Sequence, residues 1–355
     1  MRLTKLRNKM QELNVDAVIV LDELNQHYLS EFAFTDGLLF VTKNTAHLVT
    51  DFRYYEMALN KANKSFSIVM PENRKEYLGR IIAEEGIKTV GFEGGFVSYE
   101  TYRRFCDEYP ECSFVNIGDA IELIRQVKSQ DEIDKMQKAQ DITDAALAHL
   151  LGIITPNMTE LDVAVELEYA MRRGGADSFA FETIAVSGDA SALPHGTPRN
   201  VKLRQGFLTM DFGARYEGYC SDMTRTVVIG KADEEIKKLY NTVLCAQTEA
   251  LAYLREGADC GEADKIARDI IDSVPEFKGA FGHSLGHSVG LFIHESPRLY
   301  SRGFGRKLRV GEILTVEPGI YLFGKYGCRI EDMVAITEDG IHNFTHSPKE
   351  LIEIL

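Results

Sequence analysis

Apolar positions over the first 125 residues fall into short strand-length runs separated by stretches of helical periodicity. Ala17-Val18-Ile19-Val20-Leu21, Leu38-Leu39-Phe40-Val41 and Thr89-Val90-Gly91-Phe92 are too short for helices and are rich in β-formers. At the start of the chain, Leu3, Leu6, Met10 and Leu13 recur on one stripe, which predicts an amphipathic helix over residues 1–13. Strands alternating with helices in this way predict a small α/β domain over residues 1–125.

The pattern changes after residue 125. Ser129-Gln130-Asp131-Glu132 reads as a capping box opening a long helix, with Ile133, Met136, Ala139, Ile142 and Ala146 on its buried stripe. Thr159-Glu160-Leu161-Asp162 caps a second helix, which closes at Gly174-Gly175. Two more helices are predicted over Asp233–Leu254 and Glu262–Val274, and β-rich runs surround them all. Residues 126–355 therefore read as a single α+β domain. The charge-rich stretch from Lys128 to Lys138 is expected to be a solvated helix face.

Acidic side chains sit inside several of these apolar runs, where burial without a partner is costly. The segment from Leu208 to Val228 reads as two strands around a turn at Tyr216-Glu217, a register that pairs Asp211 directly with Asp222. Like charges about 5 Å apart across a hairpin repel. A divalent cation between them removes that conflict, and carboxylate oxygens suit hard cations. Thr224, two positions beyond Asp222, shares its strand face and is placed to hydrogen-bond a ligating carboxylate.

Ile313 to Tyr321 repeats the theme, with Glu317 at the polar end of an apolar strand and Pro318-Gly319 ending the ladder. Tyr326 to Val334 alternates so that Arg329 and Glu331 share a face. Three histidines, His283, His287 and His294, fall within Gly282–Glu295, where glycine recurs every fourth residue. That spacing disfavours a helix and favours backbone packed close to something else. His195 occupies a turn-rich Pro-Gly-Pro loop of the kind that positions functional groups. The residue types alone do not choose which histidine ligates a metal.

Composition narrows the field. The chain has 355 residues, 54 acidic and 40 basic, for a net charge of −14. That balance disfavours nucleic acid and anionic membrane as partners. No signal-like segment or bilayer-length apolar run is evident. The six cysteines (Cys106, Cys112, Cys220, Cys245, Cys260, Cys328) lack zinc-like or redox spacing, so reduced thiols in a cytoplasmic protein are expected.

Taken together, Leu193-Pro194-His195-Gly196, the Asp211–Asp222 hairpin with Ser221-Asp222-Met223-Thr224-Arg225, and the Gly286-His287 to His294-Glu295 segment carry a resemblance. With Val316-Glu317-Pro318-Gly319 and Arg329-Ile330-Glu331-Asp332, they strongly resemble the Xaa-Pro peptidases. These are the prolidases and aminopeptidases P, dinuclear metallopeptidases with a pita-bread catalytic fold behind a creatinase-like N-terminal domain. Thr50-Asp51-Phe52-Arg53-Tyr54-Tyr55 is similar to that N-terminal domain. Cys328, Phe292 and Met333 depart from the usual pattern and touch neighbours of the site rather than ligands.

The resemblance implies a metal set of Asp211, Asp222, His287, Glu317 and Glu331, with Asp211 terminal on one ion. Asp222 and Glu331 would bridge, and His287 and Glu317 would complete the second ion. It implies a water or hydroxide between two divalent ions as nucleophile, the metal being manganese, or alternatively cobalt or zinc. Glu317 would shuttle the proton, and His195 and His294 would hold substrate and polarise its carbonyl. His283 would belong to the pocket, and Arg329 would either anchor a substrate carboxylate or steady the carboxylate ligands. The implied activity is hydrolysis of the Xaa-Pro bond in dipeptides, with an aminopeptidase P acting on longer peptides as the alternative. A non-catalytic peptide-binding module is a remote third reading. A homodimer acting on short proline-containing peptides is the implied assembly.

Overall fold

The computed structural model describes residues 2–355; the sequence expectation for Met1 lies outside them. The chain divides into two compact units, Met1–Arg125 and Gln126–Leu355.

The first unit is built on a six-stranded mixed sheet. Its strands are β1 (Ala17–Val20), β2 (Leu38–Thr42), β3 (Ala46–Val49), β4 (Ser67–Val69), β5 (Thr89–Phe92) and β6 (Ser113–Asn116), in the order β4-β3-β2-β1-β5-β6. β1 runs antiparallel to β2 and parallel to β5. The two central strands are buried along their whole length, which is why they read as unbroken apolar runs instead of alternating ones. The first helix, Arg2–Glu12, buries Leu3, Leu6 and Met10. Leu13 lies past its end and is exposed, so the stripe is one residue shorter than the sequence pattern suggests.

The second unit is α+β. Helices Gln130–Leu151 and Glu160–Arg173 pack through Ile142, Leu150, Leu167 and Met171 against the strands Gly206–Phe212 and Met223–Ile229. The second helix starts with a complete capping box: the Thr159 N–H donates to Asp162 Oδ2 at 2.7 Å and the Asp162 N–H donates to Thr159 Oγ1 at 3.0 Å. A cap of this type contributes about 1 kcal/mol. Helices Glu234–Tyr253 and Cys260–Asp272 cover the other half of the core, which includes Leu314, Val316, Ile330 and Val334. Leu314, Val316 and Val334 belong to a five-stranded sheet, whose strands run in the order 295–299, 286–288, 313–316, 332–337 and 340–343.

One expectation fails here. The Lys128–Lys138 stretch is not a uniformly solvated face, because Lys128 and Glu132 are both buried. The Tyr219 hydroxyl donates to Glu132 Oε1 at 2.8 Å, and Lys128 Nζ donates to Ser288 Oγ and Glu295 Oε2. Charge content cannot distinguish a solvated residue from one whose partner lies far away in sequence.

Candidate metal centre

The hairpin that carries the two aspartates is shifted from its expected register. Tyr216 pairs with Tyr219, so the turn residues are Glu217 and Gly218, with φ of 46° and 83°. A two-residue turn with both φ values positive matches the twist of the strands, and glycine adopts that geometry without a Cβ penalty. Asp211 consequently pairs with Thr224, not with Asp222. Asp222 falls in the break between strands Tyr219–Cys220 and Met223–Ile229. Backbone approaches closely there: a Cβ on Gly213 would lie 2.0 Å from the Ser221 carbonyl oxygen.

Despite the shift, the carboxylates converge. Ligand oxygens of Asp211, Asp222 and Glu331 all lie within 4.8 Å of one another. On the other side of Asp222, His287 Nε2 is 3.6 Å from Asp222 Oδ2 and 3.4 Å from Glu317 Oε1. Asp222 is therefore common to two groups of donors, one with Asp211 and Glu331 and one with His287 and Glu317.

The surrounding residues orient these groups. His287 Nδ1 lies 3.2 Å from the Ser288 carbonyl oxygen, which can only accept. Nδ1 therefore carries the proton, and the Nε2 lone pair is directed at the carboxylates. The Thr315 hydroxyl accepts from the His287 N–H at 3.1 Å and donates to Glu317 Oε1 at 3.2 Å. The Thr224 hydroxyl donates to Glu331 Oε2 at 2.7 Å, the carboxylate contact that its strand face suggested.

Arg329 is buried and commits its guanidinium to three protein oxygens: Asp211 Oδ2 at 2.6 Å, Thr224 Oγ1 at 3.0 Å and the Tyr321 hydroxyl at 2.7 Å. Because Tyr321 accepts from Arg329, its own proton is directed to His283 Nε2, 2.9 Å away. The other ring nitrogen of His283 faces the Ser284 carbonyl at 2.9 Å. His283 lines the cavity with both ring nitrogens held by the protein, so it offers ring surface and no free polar atom.

Burial, followed by repulsion from Glu331, Asp211 and Glu317, holds the Asp222 carboxyl well above the usual carboxylate range. Glu331 is raised in the same way, by burial first and then by Glu317 and Asp211. Glu317 is pushed up to about 8, burial being the main cause. Burial also lowers His287 to about 3, which keeps the imidazole neutral. Asp211 Oδ1 is buried and has no hydrogen-bond partner. An orphaned carboxylate oxygen, three mutually repelling acids and a neutral imidazole aimed at them fit divalent cations, which would relieve each of these costs together.

All nine residues singled out from the sequence line one cavity of about 560 Å³: Asp211, Asp222, His287, Glu317, Glu331, His195, His283, His294 and Arg329. Phe181, Ile184, Pro194 and Ile293 add apolar surface to the same cavity. His195 and His294 are exposed in it, and the His294 ring stands edge-on to His287 with centroids 4.5 Å apart. The sequence reading missed Arg298, an exposed cation lining the same cavity, together with Thr315 and Tyr321, which hold Glu317 and Arg329. Arg298 lies four residues beyond His294, which was its one available signal. Cys220 and Cys328, near Asp222 and Arg329 in the chain, are buried, and the Cys220 thiol donates to the Leu291 carbonyl oxygen at 3.8 Å.

The chain is similar to known proteins along almost its whole length. Residues 134–338 match Metallopeptidase family M24, and residues 2–127 match the Creatinase/Prolidase N-terminal domain. A Xaa-Pro dipeptidase of Pyrococcus furiosus is 36% identical over 353 residues, with 99% of each chain covered. The structure of a Xaa-Pro dipeptidase from Bacillus anthracis superposes with a TM-score of 0.94 at 38% identity, covering 99% of both chains. That of an X-Pro aminopeptidase from Thermotoga maritima MSB8 gives 0.92 at 34% identity, covering 98% of this chain and 100% of the other. The second unit thus has the pita-bread fold, and the chain belongs to metallopeptidase family M24.

Proposed function

We propose that this protein hydrolyses the Xaa-Pro bond of dipeptides at a pair of divalent ions held by Asp211, Asp222, His287, Glu317 and Glu331. The observation that carries this reading is the position of Asp222, within reach of both donor groups. In this reading Asp222 and Glu331 would be shared by the two ions, Asp211 would serve one of them, and His287 and Glu317 would serve the other. Four carboxylates and one imidazole make an oxygen-rich set, which favours manganese over thiophilic metals.

Bound divalent ions would supply water of lowered pKa and polarise the scissile carbonyl. The protein's own groups do the rest. Glu317 takes a proton from the attacking water at its carboxylate and hands it to the departing proline nitrogen. His195 and His294 donate to the carbonyl oxygen as negative charge develops on it. The apolar surface of Phe181, Ile184 and Ile293 receives the proline ring and keeps bulk water away. Arg298, exposed beside His294, binds the free carboxylate of a dipeptide. Arg329 is committed to Asp211, so of the two roles the sequence left open it takes the one that steadies a ligand.

Preference for a dipeptide is supported by Arg298 and by the dipeptidase relatives; the Thermotoga maritima neighbour favours the aminopeptidase alternative. A ligand set with no gap argues against a mere peptide-binding module. We further read the protein as a cytoplasmic homodimer acting on short proline-containing peptides. Among the described residues, no helix is long and apolar enough to cross a membrane. Initial rates on Ala-Pro and Ala-Pro-Ala, measured side by side, test the assignment. Faster cleavage of Ala-Pro supports a dipeptidase, and faster cleavage of Ala-Pro-Ala overturns it in favour of an aminopeptidase.

A further inference from the structure

We propose that Lys128 is a positioning residue for His294, acting through the loop that joins His294 to His287. Lys128 is fixed at the backbone, its N–H donating to the Gly311 carbonyl at 2.8 Å. Its side chain is 1% exposed and ends between two acceptors, Ser288 Oγ at 3.1 Å and Glu295 Oε2 at 3.2 Å. Ser288 directly follows His287, and Glu295 directly follows His294. One buried ammonium therefore clamps the two ends of the segment that must hold both imidazoles at the cavity.

The backbone of this segment does not fix that geometry by itself. The pairing between strands Gly286–Ser288 and Glu295–Leu299 changes register between His287 and Ser288, so the ladder is interrupted beside the first histidine. Between the clamped ends, the Gly290 N–H donates to the Phe292 carbonyl, and the Gly290 carbonyl accepts from Cys220. Glu295 extends the clamp inward, its Oε1 accepting from the Phe292 N–H at 3.2 Å. Gly290 leaves room for this carboxylate, since a Cβ there would lie 2.6 Å from Glu295 Oε2.

A buried ion pair contributes little net stability, because desolvation offsets the attraction. What Lys128 supplies is geometry: it holds the His294 ring edge-on to His287 with centroids 4.5 Å apart, while His287 is held separately by Thr315 and the Ser288 carbonyl. The proposal rests on the reading of His294 as a group that touches substrate.

The test uses the metal-loaded full chain with Lys128→Met, His294→Ala and the double variant. Metal content, melting temperature and the separate values of kcat and KM are measured on whichever of Ala-Pro and Ala-Pro-Ala is cleaved. Lys128→Met is expected to keep its metal and to lose kcat on the order of 10²-fold, the cost of displacing a catalytic group by about 1 Å. KM moves much less. In the His294→Ala background the Lys128 substitution costs nothing further, because its effect runs through a side chain already removed. Additive losses, or unchanged kcat in a folded Lys128→Met, overturn the positioning role alone. Full activity of His294→Ala overturns the reading of His294 and this proposal with it. If Lys128→Met does not fold, Ser288→Ala removes one acceptor while keeping the ion pair. It should give a smaller fall in kcat that also disappears in the His294→Ala background, and an additive fall again overturns the proposal.

Discussion

Arg329 Nη2 donates to Asp211 Oδ2 at 2.6 Å in a pocket where both side chains are largely withdrawn from solvent. The same guanidinium reaches Thr224, whose hydroxyl donates to Glu331. One arginine thus orients two of the converging carboxylates, one directly and one through a threonine. This gives Arg329→Met a specific signature: a loss of metal affinity and of kcat of about 10- to 100-fold, the usual cost of removing a group that orients a ligand. Isothermal titration with manganese and steady-state kinetics measure the two effects. A rise in KM alone, with metal affinity intact, would instead make Arg329 a substrate anchor.

Asp222 is shared by both donor groups, so neither can be complete without it. Asp222→Asn keeps the shape and removes the charge. Hydrolysis should fall to background, and the protein should bind fewer ions than the parent in equilibrium dialysis. Retained full activity contradicts the assignment.

The metal-free protein should lose stability as pH rises through neutrality. Glu317 is pushed up to about 8, and Asp222 and Glu331 are held well above the carboxylate range, by burial first in each case. In the unfolded chain such groups titrate near about 4. Above that value the folded state binds more protons than the unfolded state, so its stability falls with rising pH. His283 and His287, lowered by burial to about 4 and about 3, act in the opposite sense, but only below the ordinary histidine value of 6.5. The interval from 6.5 to about 8 therefore reports these carboxylates together with Glu93, whose buried carboxyl is raised to about 7. Calorimetry of metal-free protein across it should show a falling melting temperature, and metal-loaded protein should show a shallower fall, the part that Glu93 contributes. A flat or rising metal-free curve is inconsistent with the clustered acids.

Arg298 is the exposed cation of the cavity wall, in contrast to the buried and committed Arg329. Arg298→Ala should raise KM for Ala-Pro by about 10-fold or more, since a hydrogen bond to a charged group is worth roughly 1.5–3 kcal/mol. KM for Ala-Pro-Ala, whose carboxylate lies one residue further on, should change less. Equal effects on both substrates contradict the carboxylate role.

Much of this site is legible in the sequence because its acidic side chains interrupt apolar runs. Glu317 at the end of Ile313–Val316 and Asp211 within Gly206–Phe212 stand out as charges in buried strands. What the sequence hid depends on backbone geometry or on partners far along the chain. The hairpin register turned on Gly218 accepting a positive φ, a better turn residue than Tyr216, and that choice moved Asp222 away from Asp211's pairing position. Lys128 and Glu132 looked solvated because Glu295 and Tyr219, their partners, lie 167 and 87 residues away. Tyr321 reads as one more apolar strand position until its hydroxyl is seen between Arg329 and His283. In the first unit the strand runs were plain, because strands buried on both faces leave no alternation to misread.

The proposed pair of ions, held by five side chains, is tested most directly by titrating manganese into chelator-stripped protein, with Ala-Pro and Ala-Pro-Ala hydrolysis followed at each addition. No cleavage is expected in the stripped protein, and activity should rise to a plateau at about two ions per chain. Full activity without metal, or no cleavage of either peptide at any manganese level, would contradict the proposed pair of ions.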